Sequence, residues 1–386
     1  MRGTQHAGRA QSLADGAPGI ALPHIERAHA EVAGWEPVHR LAQEMTAVPV
    51  HAHPEITSLF YGAPAVAYAL HTAGHPAYAR ALATLDHSIN TLIRIRLDAA
   101  HRRIDNGQMA TAREYDLING ITGLGGYLIH RHHDHELLRQ VLAYLVRLTQ
   151  PVRLGGETLP GWWAAGSPDR RRSPRWDGGH AGFGMAHGIS GPLALLSTAM
   201  RRRIIVNGQC AAIHSISVWL DHWRADHGSR AWWPESIDRD ELRSGLTTRT
   251  GPHRPSWCYG APGIACAQHL AGLATGDRVR TRIAEQALVG CLTDGRQLAH
   301  FTDAGLCHGW AGLIHTARRV HADTGGSELS TAIDTVEDRL RRHLHKRGAP
   351  ADEGFLEGRA GIALVEEILP TASAAGARWN TCLFTG

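Results

Sequence analysis

Apolar residues in this chain fall into two alternating kinds of stretch. One is a short Ala/Leu-rich stretch, as in Ile264 to Leu273 and Leu313 to Val320. The other is longer and amphipathic, as in Arg278 to Leu292 and Leu329 to Leu344, with apolar positions three and four apart. The first pattern predicts a helix that follows a Gly motif, and the second its amphipathic partner helix. Strand-like alternation is scarce.

A Gly-centred motif precedes each Ala/Leu-rich stretch. Tyr259-Gly260-Ala261-Pro262-Gly263-Ile264 and His308-Gly309-Trp310-Ala311-Gly312-Leu313 show its form, and the first Gly recurs at 62, 120, 188, 260, 309 and 358. The first copy has Ala65 where the others have a second Gly. A period of this length marks a supersecondary unit that packs against copies of itself. Six helical hairpins without evident capping repeats predict a closed ring, an all-α α/α toroid with six inner and six outer helices. The expected organisation is a single toroid domain over 23–386, preceded by a polar, flexible segment at 1–22. Two intervals, 151–180 and 222–256, exceed the basic period and carry Trp162, Trp163, Trp176, Trp223, Trp232 and Trp233. They are expected to be ordered loops over one face of the ring, and long ordered loops often carry function.

Composition narrows the setting. No apolar run is long enough for a signal peptide or a bilayer span, and six irregularly spaced cysteines do not form a secreted disulfide framework, so reduced thiols in the cytoplasm are expected. The net charge is +4, and Lys346 is the single lysine. Basic clusters such as Arg170-Arg171-Arg172 with Arg175 do not alternate with aromatics, which argues against a nucleic-acid surface.

The chemistry lies in the residues around the first Gly. In a ring, equivalent positions converge on one mouth, and those before the first Gly are Tyr61, Asn119, His187, Tyr259, His308 and Glu357. Helix capping would favour Ser, Asp or Asn there, and it does not explain Cys258, Cys307, His308 and His187. Two thiols and an imidazole from adjacent repeats form the ligand set of a catalytic zinc, with the fourth position open. Cys210, Cys266, Cys291 and Cys382 lie outside the motifs and read as ordinary core or surface residues.

The segments Met185-Ala186-His187-Gly188, Ser256-Trp257-Cys258-Tyr259-Gly260, Leu306-Cys307-His308-Gly309 and Phe355-Leu356-Glu357-Gly358 resemble the signatures of the lanthionine synthetase C-like family. The resemblance spans roughly residues 55 to 365 and is to the bacterial lanthipeptide cyclases of nisin-cyclase type. It implies Zn2+ held by Cys258, Cys307 and His308, with His187 as general acid, Asp116 as its partner, Arg254 as charge stabiliser and Tyr259 beside the site. It also implies a dehydrated precursor peptide as substrate, a lanthipeptide dehydratase and an export transporter as partners, and a location in the cytoplasm or at the inner face of the membrane. The implied reaction adds peptide cysteine thiols to dehydroalanine or dehydrobutyrine, closing thioether rings. Structural uses stand beside these roles: Asp116 as a helix cap, Arg254 in an ion pair, Tyr259 in packing. A non-catalytic thiol- or glutathione-binding scaffold of the same family and a prenyltransferase-like zinc toroid are the other readings the sequence leaves open. The Trp-rich loops and Arg170 to Arg175 are expected to line a peptide groove.

Overall fold

The glycines of the repeated motif are there for a steric reason. A Cβ at Gly263 would lie 2.0 Å from the carbonyl oxygen of Trp257, and one at Gly312 would lie 1.9 Å from that of Leu306. Each inner helix therefore starts with its first turn pressed onto the loop that leads into it. In the first copy Gly62 takes φ +77°, unlike the equivalent glycines, and this different entry into the helix accommodates Ala65.

The computed structural model describes residues 9–131, 136–169, 171–227, 230–368 and 378–385. Helices alternate between inner and outer positions. In chain order they are α1 (Ala17–His29) and α2 (Glu36–Thr46), α3 (Ala63–Ala73) and α4 (Ala79–Asp105), α5 (Ile121–Arg131) and α6 (Glu136–Leu148), and α7 (Ser190–Arg201) and α8 (Gln209–His222). They continue as α9 (Ala261–Thr275) and α10 (Arg278–Thr293), α11 (Trp310–Thr324) and α12 (Ser327–Arg347), and α13 (Arg359–Ala363), which runs on through a wider turn at Leu364–Ile368. Odd-numbered helices are inner and pack side by side from α1 through α13, and α13 returns to α1 to close the ring.

Local sequence sets each element. α9 opens with Ala261-Pro262, where proline's missing N–H costs nothing, and stops at Gly276 in the left-handed conformation. α10 is capped by Asp277, whose carboxylate accepts from the N–H groups of Val279 (3.1 Å) and Arg280 (3.0 Å). All residues of α9 from Ala261 to Gly272 are buried, whereas α6 buries Leu137, Leu138, Val141, Leu142, Leu145 and Leu148 along one side. α9 is the Ala/Leu-rich kind of stretch and α6 the amphipathic kind.

The all-α toroid is the expected one, but the described residues form seven inner helices and six outer ones where six of each were expected, and the N-terminal boundary is corrected. Gly16-Ala17-Pro18-Gly19-Ile20 repeats Gly260-Ala261-Pro262-Gly263-Ile264 residue for residue, and α1 stands between α13 and α3 as a further inner helix. Leu13, Ala17, Ala21 and Leu22 are buried core residues, so the segment expected to be flexible to residue 22 is structural from about Leu13. Residues 1–8 of that segment lie outside the described residues.

The turns before the inner helices are stitched to one another by main-chain hydrogen bonds. The N–H of Leu13 donates to Phe60 (3.0 Å), Leu117 to Ala186 (3.1 Å), Ala186 to Cys258 (3.0 Å), Cys258 to Cys307 (3.2 Å), Cys307 to Leu356 (2.8 Å) and Leu356 to Ala14 (2.9 Å). At the opposite side, residues 378–385 fill the interior of the ring. Trp257 Nε1 donates to the carbonyl of Leu383 (3.0 Å), the Tyr68 hydroxyl donates to that of Trp379 (2.8 Å), and His315 Nε2 lies 2.9 Å from Thr385 Oγ1. The absence of a side chain at Gly126 leaves room for the ring of Phe384.

The described residues of both long intervals lie on the stitched face. The first holds a hairpin of β1 (Val152–Leu154) and β2 (Glu157–Leu159) and the short β3 (Ala181–Gly182). The second holds a hairpin of β4 (Ala225–His227) and β5 (Arg230–Trp232), then β6 (Ser236–Ile237), which pairs antiparallel with β3. No helix among the described residues is long and apolar enough to cross a membrane.

Replacing Gly312 by Ala is expected to destabilise the chain by about 1–3 kcal/mol or more, because the new methyl must displace main chain. Gly295→Ala, where the space is open, serves as the control. Urea unfolding of the two variants checks this, and equal midpoints would contradict the steric account.

Candidate metal centre

The bond from Cys258 N–H to Cys307 C=O places two neighbouring turns edge to edge, and the donor set follows from it. The ligand atoms of Cys258, Cys307 and His308 all lie within 4.8 Å of one another, the single such group of three among the described residues. Cys258 is buried, while Cys307 and His308 are partly accessible from the stitched face. Ser256 holds the first turn. Its Oγ accepts from the N–H groups of Tyr259 (3.3 Å) and Gly260 (3.1 Å) and lies 3.5 Å from Cys258 Sγ.

The three groups share protons. Hydrogen bonding with Cys307, and then with His308 and Ser256, pulls the Cys258 thiol well below the ordinary range for cysteine. Its partnership with Cys258, reinforced by burial, pushes Cys307 well above that range, and the hydrogen bond to Cys258 raises His308. Of the two thiols Cys258 holds its proton less tightly, and a soft dication would displace the protons of the set. The other buried cysteines contrast with this. Burial pushes Cys266, Cys291 and Cys382 up to about 12, which makes them inert as ligands, and Cys210 is exposed. Two sulfurs and one imidazole nitrogen, partly open on one side, suit a metal with thiolate preference and one free coordination position.

The remaining expected residues surround this set. His187 Nδ1 lies 2.7 Å from Asp116 Oδ2, and Asp116 is fully buried. Its Oδ1 accepts from the N–H of Asn119 at 2.6 Å, so Asp116 holds the turn and orients the imidazole together. The Tyr259 ring stands beside His187, with centroids 5.7 Å apart, and burial first, then the negative charge at Cys258, raises its phenol. Arg254 Nη1 lies 3.5 Å from Asp303 Oδ2, and that same oxygen is 3.6 Å from His308 Nε2.

Asp303 was not anticipated, although a signal existed. It stands four residues before Cys307, as Arg254 stands four before Cys258, and its Oδ1 accepts from the N–H of Gly305 in a local turn (3.1 Å). Glu357 was noted only for its position before a Gly. Its Oε1 lies 3.8 Å from His308 Nδ1.

Two clefts meet at Tyr259. One, of about 370 Å³, is lined by Asp116, His187, His180, Arg113, Pro168 and Asp169. The other, of about 280 Å³, is lined by Arg175, Trp176, Glu235, Arg249, His253 and Asp169. Of the residues expected to line a groove, Arg175 and Trp176 do so, and Arg175 also pairs with Asp238 (2.7 Å) and Glu241 (3.0 Å). Arg171 and Arg172 are exposed outside both clefts, and Arg170 lies outside the described residues. Trp162, Trp163, Trp223, Trp232 and Trp233 pack inward, so these loops are held down by their tryptophans.

An α/α toroid with a thiolate–imidazole donor set at one mouth and a histidine–carboxylate pair beside it defines a narrow class of proteins. Residues 9–372 match the family described as Lanthionine synthetase C-like protein, and the chain belongs to that family. It is similar to the Nisin biosynthesis protein NisC of Lactococcus lactis subsp. lactis, with 23% identity over 293 residues, 75% of this chain and 67% of the relative. Among solved structures, that of a nisin cyclase has the same fold, with a TM-score of 0.81 at 20% identity over 100% of this chain and 95% of the other.

Titration with Co2+ is expected to saturate at one equivalent with thiolate-to-metal absorption. Cys258→Ala or Cys307→Ala should weaken binding by more than the ~10–100-fold typical of losing an outer partner, and Cys266→Ala should leave it unchanged. Undiminished thiolate absorption in the Cys258/Cys307 double variant would refute the assignment.

Proposed function

We propose that this chain is a zinc-dependent lanthipeptide cyclase that adds cysteine thiols of a dehydrated peptide to dehydroalanine or dehydrobutyrine, forming lanthionine or methyllanthionine. The observation that carries the reading is the Cys258–Cys307–His308 set, with the His187–Asp116 pair joined to the same turn through the bond from Ala186 N–H to the Cys258 carbonyl. Family membership supports it. Bound zinc would take the peptide thiol as a ligand and keep it deprotonated at neutral pH.

The protein's residues then handle charge and protons. Attack on the β-carbon moves an electron pair onto the acceptor carbonyl oxygen, and Arg254, a third exposed at the mouth, supplies the positive charge nearby. His187 delivers a proton to the α-carbon. With Nδ1 turned to Asp116, Nε2 is the ring atom left for the substrate, and the buried carboxylate fixes that orientation. Tyr259 lines both clefts, so a peptide that occupies both would pass its ring. The substrate is the dehydrated precursor peptide, and a lanthipeptide dehydratase and an export transporter would act before and after it, in the cytoplasm or at the inner face of the membrane.

The decisive experiment supplies a dehydrated candidate peptide and follows loss of alkylatable thiols by mass spectrometry. The wild-type chain should close rings and Cys307→Ala should not, and thiols that persist with the zinc-loaded wild-type chain would exclude the reading. His187→Ala should lower turnover by about 10²–10⁴-fold with metal content unchanged. Full activity in that variant would remove His187 from the mechanism.

A further inference from the structure

The cleft on the far side of Tyr259 from His187 contains a second carboxylate–histidine pair that the proposed mechanism does not use. Glu235 Oε1 lies 3.3 Å from His253 Nδ1, and Arg249 Nη2 lies 3.0 Å from the same nitrogen. That single ring atom stands between an anion and a cation, and its proton decides which of them it bonds. Both the Glu235 and His253 positions are fixed from the catalytic turn. The Glu235 carbonyl accepts from the N–H of Phe183 (3.0 Å), and the β3–β6 pairing that follows ties the segment to the strand leading into His187. His253 directly precedes Arg254 on the loop that leads to Cys258.

The Glu235 side chain is half-exposed and faces the cleft shared with Tyr259. Partial burial raises its carboxyl above the usual range, with Arg249 and Arg254 opposing and the negative charge at Cys258 reinforcing the rise. His253 is pushed down to about 4 by burial, then by Arg249 and His300, so it is neutral at pH 7 and serves to orient the carboxylate. The other charged groups of the cleft are Asp169 and Arg175, and Arg175 is occupied by Asp238 and Glu241.

We infer that Glu235 is the base that takes the proton from the peptide thiol, an assignment that rests on the cyclase reading. The S–H bond breaks, its proton passes to a Glu235 oxygen, and the sulfur lone pair forms the S–Cβ bond as the C=C π pair shifts toward the carbonyl. The α-carbon then receives a proton from His187, and solvent returns the proton from Glu235 to His187, so no oxidant, reductant or co-reactant is consumed. The two carboxylate–histidine pairs divide the work. The pair on the Glu235 side removes a proton from sulfur, and the pair on the Asp116 side gives one to carbon.

The test uses a peptide with one cysteine and one dehydroalanine and the zinc-loaded chain. Glu235→Gln is nearly isosteric and keeps the main-chain bond to Phe183. It should retain full metal content and lose about 10–100-fold in kcat at pH 6.5, with KM changed less than about threefold. The deficit should shrink as pH rises, because solvent then takes the proton from the thiol without a protein base. Glu235→Asp should recover part of the loss. A second readout needs no turnover: binding of a cysteine peptide without dehydroalanine should release a larger fraction of a proton to solvent from Glu235→Gln than from wild type. If the wild-type chain closes the ring while Glu235→Gln stays within twofold of it, or shows a deficit independent of pH, the base assignment falls and the cyclase reading stands. A wild-type chain that closes no ring overturns both.

Discussion

A main-chain hydrogen bond of 3.2 Å, from the N–H of Cys258 to the carbonyl of Cys307, does more for this protein than any side-chain contact. It is one stitch in a rim that joins turn to turn around the mouth of the toroid, and each stitch fixes the register of one inner helix against the next. Side chains carried on those turns inherit the precision of the backbone. A donor set assembled from residues 49 apart is then held by closure of a ring of helices, with no dedicated loop. The tight glycines serve the same end, because only a turn without a side chain lets the helix settle onto its own leading loop.

Much of this was legible in the sequence. The alternation of Ala/Leu-rich and amphipathic stretches predicted inner and outer helices, and the motif period predicted the ring. Cys258, Cys307 and His308 could be placed together because they occupy equivalent positions in neighbouring repeats. The first inner helix escaped because its motif lies among polar, Ala-rich residues that resemble a tail, although Gly16-Ala17-Pro18-Gly19-Ile20 carries the pattern in full. Asp303 escaped because an Asp two residues before a Gly reads as a turn former, which it also is. Glu235 gave no signal at all. It belongs to a loop outside the repeat, and its placement depends on a two-residue ladder that no periodicity announces.

The electrostatics of the mouth follow a common plan. Three histidines there have a carboxylate within reach: Asp116 for His187, Glu235 for His253, and Asp303 with Glu357 for His308. The consequences differ with surroundings. Buried Asp116 is committed to two partners and orients; half-exposed Glu235 faces open space; Asp303 links the donor set to Arg254. The pairs thus come from different parts of the chain, the turns of the repeat and the loop that carries Glu235, and differ in local burial.

The C-terminal segment gives the ring a polarity that its helices alone would not. With Trp379, Leu383 and Phe384 seated among the inner helices, the interior of the ring is filled, and the donor set lies at the stitched mouth, where Cys307 and His308 are partly accessible. A guest cannot be threaded through a filled ring as through a pore. Whatever reaches the donor set arrives and leaves on one face, beside Tyr259 and the loops that the tryptophans hold down. The filled interior thus turns a symmetric ring of helices into a body with a single working side.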